Sequence, residues 1–256
     1  MSHEWARMFI FRQCESYASD VGRGGDAFSG GGDMPALRRW PAIVLDFDGV
    51  ILESATIKGR AFRGLFPDYP QHLDRFEQFH YDNSGLSRHL KIAWFYRELL
   101  GRTVTQEAID RLADRFGALV AGDMRACPFV DGAVEFLERY ADRVLLFVAS
   151  GTPEPELREL VAARGLTSRF AGVFGTPATK VEILTTIASQ LGIAPEELLF
   201  VGDGRQDAEA ARETRVTFVG RVATGDSDRL GDVPVARVAN LFDLDQYLTP
   251  LMDAHR

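Results

Sequence analysis

The stretch Ala42–Val50, Ala-Ile-Val-Leu-Asp-Phe-Asp-Gly-Val, limits what this chain can fold into more than any other. Four apolar residues stop abruptly at two carboxylates separated by one phenylalanine. An unbroken apolar run of this length, bounded by Pro41 and Gly49, predicts a strand over 42–47 that is buried on both faces of a parallel sheet. Side chains two apart leave a strand on the same face, so Asp46 and Asp48 share one side of its end while Phe47 turns into the packing. Gly49 then lets the backbone bend tightly. Carboxylates at the carboxyl end of a buried strand stand where open α/β sheets bind ligands. Taken alone, Asp-x-Asp-Gly is also a plain polar turn or a bare metal-chelating pair, and the other strand ends must decide.

Beyond the first strand the pattern becomes helical. Apolar residues recur at helical spacing at Ile57, Ala61, Phe62, Leu65 and Phe66. Phe76 and Phe79 suggest a short helix, and 86–100 a longer amphipathic one. Thr105 opens a further helix carrying Ile109, Leu112, Phe116 and Val120. From Gly132 the pattern alternates. Strands are predicted at 144–149, 171–174, 198–201, 216–220 and 235–238, and helices at 132–140, 155–164, 179–191, 207–213 and 244–248. This alternation predicts an α/β fold with a doubly wound, mainly parallel, Rossmann-like sheet core. The core is expected over 40–52 and 128–256, with an all-helical insertion over 53–127.

Residues 1–39 read as an extension that belongs to neither part. A short helix over Trp5–Tyr17 is followed by a glycine-rich stretch with little to bury. Met34 is a plausible alternative start. The formal net charge of −8 and the lack of a basic stripe argue against a nucleic-acid polymer as partner. The two cysteines, Cys14 and Cys127, lack metal-ligand spacing and suggest a reducing compartment. No apolar run approaches the roughly 20 residues of a membrane helix. The expectation is a cytoplasmic protein, monomer or homodimer, with no membrane partner.

Three later segments complement the aspartates. The strand at 144–149 ends at Ser150-Gly151-Thr152, a turn that can also aim a hydroxyl and backbone N–H groups at a phosphate. The strand at 198–201 ends at Gly202-Asp203, with Asp207 four residues on, and a helical segment rather than a hairpin partner comes next. Lys180 opens a helix, a position the helix dipole disfavours for a cation, which hints at an anionic partner. In this order the chain resembles the haloacid dehalogenase superfamily, chiefly phosphatases and phosphomutases. Asp46-Phe47-Asp48-Gly49-Val50 resembles its first motif, Ser150-Gly151-Thr152 its second, Lys180 its third and Gly202-Asp203 with Asp207 its fourth. The resemblance spans about 41–220, is nearest to the phosphoglycolate phosphatase and beta-phosphoglucomutase branch, and makes the insertion a helical type-1 cap.

The resemblance implies a reaction. Asp46, Asp48, Asp203 and Asp207 crowd into one pocket, and a divalent cation relieves their repulsion. Hard oxygen ligands with a phosphate nearby favour Mg²⁺. Asp46, Asp203 and the main-chain carbonyl of Asp48 are expected as direct ligands, with Asp207 acting through water or orienting the others. Asp46 attacks phosphorus, and Asp48 protonates the leaving oxygen and then deprotonates water. Lys180, Ser150 and the backbone at Gly151 steady the phosphoryl oxygens. The expected function is hydrolysis of a small phosphorylated metabolite through an aspartyl-phosphate. The alternatives are a phosphomutase of the same fold and a non-catalytic phospho-ligand binding protein.

Two details refine the class. Family dehalogenases lack the second aspartate, so Asp48 argues for phosphate esters. Asp207 is more like the phosphatases than the mutases. Glu53 and Gly151-Thr152 depart from residues common in the family and leave the substrate open. In the cap, the loop Gly85-Leu86-Ser87-Arg88 resembles the one that faces the pocket in sugar-phosphate relatives. Arg88 and Lys91 are therefore candidates to grip a distal anion of the substrate. His80 and His89 either line the cleft or are structural. Hinges are expected near 52–54 and 126–128.

Overall fold

The computed structural model describes residues 39–83, 86–225 and 228–253. The predicted helix at 5–17, Cys14, Met34, all of the 1–39 extension except Arg39, and Gly85 of the cap loop lie outside the described residues.

The apolar run forms β1, Ala42–Leu45. It lies between β2, Leu145–Pro153, and β4, Leu198–Gly202, and pairs in parallel with both. With β3 (Gly172–Thr176), β5 (Thr217–Arg221) and β6 (Ala236–Val238) it makes a wholly parallel six-stranded sheet in the order β3-β2-β1-β4-β5-β6. This is the doubly wound order, whose direction reverses beside β1. Alternation along β1 splits the core. Ile43 and Leu45 enter one apolar cluster, while Ala42 and Val44 enter the other.

Helices cover both faces. On one side pack α5 (Ala133–Tyr140), α6 (Glu154–Ala163) and α9 (Leu241–Asp253). On the other pack α7 (Lys180–Leu191) and α8 (Arg205–Thr214). Between β1 and α5 stand four more, α1 (Ala55–Leu65), α2 (Leu73–Asp82), α3 (Arg88–Trp94) and α4 (Gln106–Ala126). They close on an aromatic cluster. Phe66 stacks on Phe95 with centroids 3.8 Å apart, and Phe76 meets both rings edge-on. The same apolar cluster continues from this insertion to the Ile43 face of the sheet. Chain entry and exit run side by side: Glu53 N–H donates to Pro128 O and Val130 N–H to Ile51 O, both at 3.0 Å.

Several boundaries differ from those the sequence predicts. β1 stops at Leu45, not Phe47. The Asp46 N–H still reaches Val201 O at 2.9 Å, but the N–H groups of Ile51 and Leu52 both fold back to Phe47 O. β2 runs on through Ser150–Thr152 to Pro153. From Ala149 to Pro153 it advances four residues while β3 advances two, from Phe174 to Thr176, so the extra residues bulge. The helix expected over 86–100 continues α3 as a π-helical turn at Phe95–Leu99. The last helix is far longer than 244–248, because Asn240 Oδ1 caps it by accepting the Asp243 N–H at 2.9 Å, and Pro250 is accommodated inside it. Among the described residues no helix is long and apolar enough to cross a membrane.

Phe95 is fully buried at the centre of the insertion's cluster. Phe95→Ala should cost about 3–5 kcal/mol of unfolding free energy. Urea unfolding checks this, and a loss below about 1 kcal/mol would show that the ring is not part of the core.

Candidate active site

The parallel register brings three strand ends level. Leu45 pairs with Val148 on one side and Val201 on the other, so Asp46, the Ser150 bulge and Asp203 emerge at one sheet edge. Lys180 reaches the same point from the first turn of α7. Thr179 sets that start with a full capping box, its hydroxyl accepting the Glu182 N–H while the Glu182 carboxylate accepts from the Thr179 N–H. The Lys180 ammonium donates to Asp46 Oδ2 at 2.7 Å and to Asp207 Oδ1. The anionic partner that its position implied is therefore a pair of carboxylates of its own chain. Asp46 Oδ1 accepts the Phe47 N–H at 2.6 Å, and Asp207 Oδ2 accepts the Gly204 N–H at 3.1 Å. Asp203 is held by Arg229, whose Nη1 lies 2.7 Å from Oδ2.

Two glycines leave the room these carboxylates occupy. Gly49 has φ +72°, and a Cβ on it would lie 2.3 Å from Asp203 Oδ2. A Cβ on Gly202 would lie 2.4 Å from the Asp207 Cβ.

Asp46, Asp203 and Asp207 each present a carboxylate oxygen within 4.8 Å of the others, and all three are buried. Burial raises Asp46 to about 8; Lys180 opposes the rise, while Asp207, Asp203 and Asp48 add to it. Burial also raises Asp203 to about 6, with Asp207 adding and Arg229 opposing. Lys180 is raised despite its burial, because Asp207 and Asp46 hold it charged. A buried cluster of three carboxylates, two of which burial makes hold their protons, offers hard oxygen donors that suit a divalent cation.

Asp48 is not part of that cluster. Its Oδ1 accepts from Ser54 Oγ at 2.6 Å, and its Oδ2 from Lys58 Nζ at 2.5 Å, Thr152 Oγ1 at 3.2 Å and Ser150 Oγ at 3.3 Å. Burial pushes its pKa up, but Lys58 and the hydroxyls outweigh burial and leave it below the ordinary carboxylate value. Asp46 and Asp48 both line the pocket, with Phe47 buried between them, but they bind different partners. The backbone leaves strand geometry after Leu45, and the two carboxylates face different partners. The sequence-based expectation for Asp48 as a cation ligand concerns its main-chain carbonyl, not this carboxylate. Ser150 is buried, and its hydroxyl also accepts the Thr152 N–H at 3.1 Å.

The insertion roofs this edge. Arg88, Lys91 and His80 line the pocket with Gly151, Phe62 and Phe116. Arg88 donates to Glu156 at 2.8 Å and to Ala113 O at 3.3 Å. Lys91 is buried, 2.9 Å from His80 Nδ1 and above the Phe62 ring. Burial lowers Lys91 well below the usual lysine value, with Lys58 adding to the effect, and lowers His80, with Lys91 adding. His89 lies apart, 3.7 Å from Asp110 and partly exposed.

The sequence model of the haloacid dehalogenase-like hydrolases matches residues 40–214. The chain belongs to that family. This haloacid dehalogenase-like hydrolase is 27% identical over 221 residues to the phosphoglycolate phosphatase of Synechococcus elongatus, covering 82% of this chain and 98% of that one. Its fold resembles that of a hydrolase from Pseudomonas syringae, with TM-score 0.68 and 21% identity over 82% of this chain and 98% of the other. It also resembles the beta-phosphoglucomutase of Clostridium difficile, with TM-score 0.67 and 16% identity over 84% and 98%.

Sequence reasoning missed four residues of this hydrolase's site. Lys58 sits on α1 with no motif to mark it. Arg229 comes from the loop after β5. Arg221 clasps Glu53 through both guanidinium ends and donates to Gly49 O at 3.2 Å, bracing the first loop. Glu156 meets Arg88 from α6. Only Glu53 carried a hint, as a departure from the family residue. At Gly49 the positive φ and the approach to Asp203 act together. Gly49→Ala should lower the unfolding free energy by roughly 2 kcal/mol or more and displace Asp203. Denaturant unfolding with wild-type stability in the variant would contradict this.

Proposed function

We propose that the protein is a Mg²⁺-dependent phosphatase of small phosphorylated metabolites that works through an aspartyl-phosphate on Asp46. One observation carries the reading: Asp46 lies between Lys180 and two further buried carboxylates, while Asp48 stands beside it in separate, ionising surroundings. The near full-length similarity to a phosphoglycolate phosphatase supports the reaction class.

Asp46, Asp203 and the carbonyl of Asp48 would hold the cation, with Asp207 behind them. When bound, Mg²⁺ supplies charge that offsets repulsion between nucleophile and phosphate. The chain's own groups do the rest. Asp46 attacks phosphorus, and Lys180 keeps its carboxylate oriented and partly neutralised. The hydroxyl of Ser150 and the backbone at Gly151 face the phosphoryl oxygens. Asp48 gives a proton to the leaving oxygen and later takes one from water. Its ionised state beside Lys58 suits the second step, and the Lys58 ammonium, in contact with Oδ2, is the nearest proton store for the first. Residues 53–127 act as a cap over a core of 40–52 and 128–256, hinged near 52–54 and 126–128, and close over the site to exclude water. Arg88 and Lys91 would meet the part of the substrate beyond the phosphate.

Phosphate release from p-nitrophenyl phosphate, with and without Mg²⁺, tests this reading. Asp46→Asn should reduce turnover by at least about a thousandfold and keep the fold by circular dichroism. Near wild-type activity in that variant would remove Asp46 as nucleophile. A requirement for a bisphosphate with no free phosphate released would favour a mutase.

Cation binding should depend on pH. Below about pH 6 both Asp46 and Asp203, with values near 8 and 6, carry protons that a cation must displace. Mg²⁺ affinity should therefore rise from pH 5 to 8, level off above, and release protons on binding. Calorimetric titration in buffers of different ionisation heat measures both, and a pH-independent affinity would refute the assignment.

A further inference from the structure

We propose that Glu156 sets substrate specificity: it is the resident counter-ion of Arg88, and a second anionic group on the substrate binds Arg88 by displacing it. This rests on the site's being a phosphoester hydrolase. Arg88 is the first residue of α3, lines the pocket, and is only 6% exposed. Among the described residues, two of its partners come from α4 within the insertion and one from outside it. The guanidinium lies over the Phe116 ring at 4.8 Å, and Nη1 donates to Ala113 O. The third, Glu156, comes from α6 on the sheet, across the roof of the site.

A buried guanidinium without an anion is costly, so a pocket empty of anionic ligand needs a carboxylate at this place. Glu156 fills it on unequal terms. It is 36% exposed, so its release to water costs little, while Arg88 stays fixed by Phe116 and Ala113. The space is closed on the α4 side as well. A Cβ on Gly117 would lie 3.0 Å from Arg88 Nη1 and 3.4 Å from Glu156 Oε2, so a side chain there would crowd the pair. α6 begins directly at the β2 end that carries Gly151 and Thr152, both in the pocket wall. The fitting ligand is a phosphoester with a compact second anion, carboxylate or phosphate, that matches the planar fork of Arg88. An uncharged tail leaves the Arg88–Glu156 pair undisturbed and gains nothing from it.

The test is calorimetric binding of two non-hydrolysable phosphonates to the Mg²⁺-loaded protein: phosphonoacetate, which carries a carboxylate, and methylphosphonate, which does not. Glu156→Gln keeps the size and removes the charge. It should tighten phosphonoacetate roughly fivefold and leave methylphosphonate unchanged. In an Arg88→Gln background the same substitution should have no effect on either. Glu156→Gln leaving phosphonoacetate unchanged, weakening it, or shifting both ligands alike would overturn the proposal, as would an effect that persists without Arg88. If the wild-type protein binds methylphosphonate but Glu156→Gln fails to discriminate, this proposal alone falls. If it binds neither phosphonate, the phosphoester reading falls and takes this proposal with it.

Discussion

Like charges forced together out of water govern the carboxyl edge of this sheet. At about 4 Å two carboxylates repel by roughly 4 kcal/mol at an effective dielectric of 20. Asp46, Asp203 and Asp207 face that penalty three ways. Lys180 and Arg229 offset part of it by direct contact. Gly49 and Gly202 contribute by absence, since a methyl group at either would occupy the space a carboxylate needs. Burial, with Asp207 adding to it, makes Asp46 and Asp203 hold their protons more tightly than an exposed carboxylate does. A doubly charged cation is the simplest completion of such a cluster, and the parallel register is what assembles it.

Asp46 and Asp48 stand two residues apart and have opposite tendencies. The first is raised by burial among other carboxylates, and the second is lowered by an ammonium and hydroxyl groups. Pairs of titratable groups driven apart in this way are how one site assigns separate roles to identical side chains. The division depends on the backbone leaving strand geometry after Leu45. The partner that separates them, Lys58, lies on α1 of the insertion, so the state of Asp48 is tied to where that insertion sits.

The strand ends were legible because their signals are local. An apolar run that stops at Asp46, a Ser-Gly turn at 150–151 and a Gly-Asp step at 202–203 each announce themselves within a few residues. Lys180 was legible because it contradicts the helix dipole. Contacts spanning long sequence distances were not. Nothing near Lys58 points to Thr152, 94 positions away, and nothing near Arg229 points to Asp203. The sequence expectation for the last helix covers only 244–248, whereas the Asn240 cap and buried Leu241, Leu244 and Leu248 anchor α9 from its start and Pro250 is accommodated inside it. The continuation of β2 past Ala149 was missed because the pairing skips over the bulge, which single-strand patterns do not encode.

The chain leaves the sheet layer at Ile51–Glu53 and returns at Pro128–Val130 along neighbouring, mutually bonded backbone segments. The helices between these points thus leave and rejoin the sheet layer at one place, while a continuous apolar cluster packs them onto the sheet's Ile43 face. These helices also share in the site, since Lys58 holds Asp48, and Arg88 and Lys91 line the same pocket. Lys58 and Arg88 both belong to the segment between these crossings, so one pair of backbone contacts helps to place both cations over the sheet.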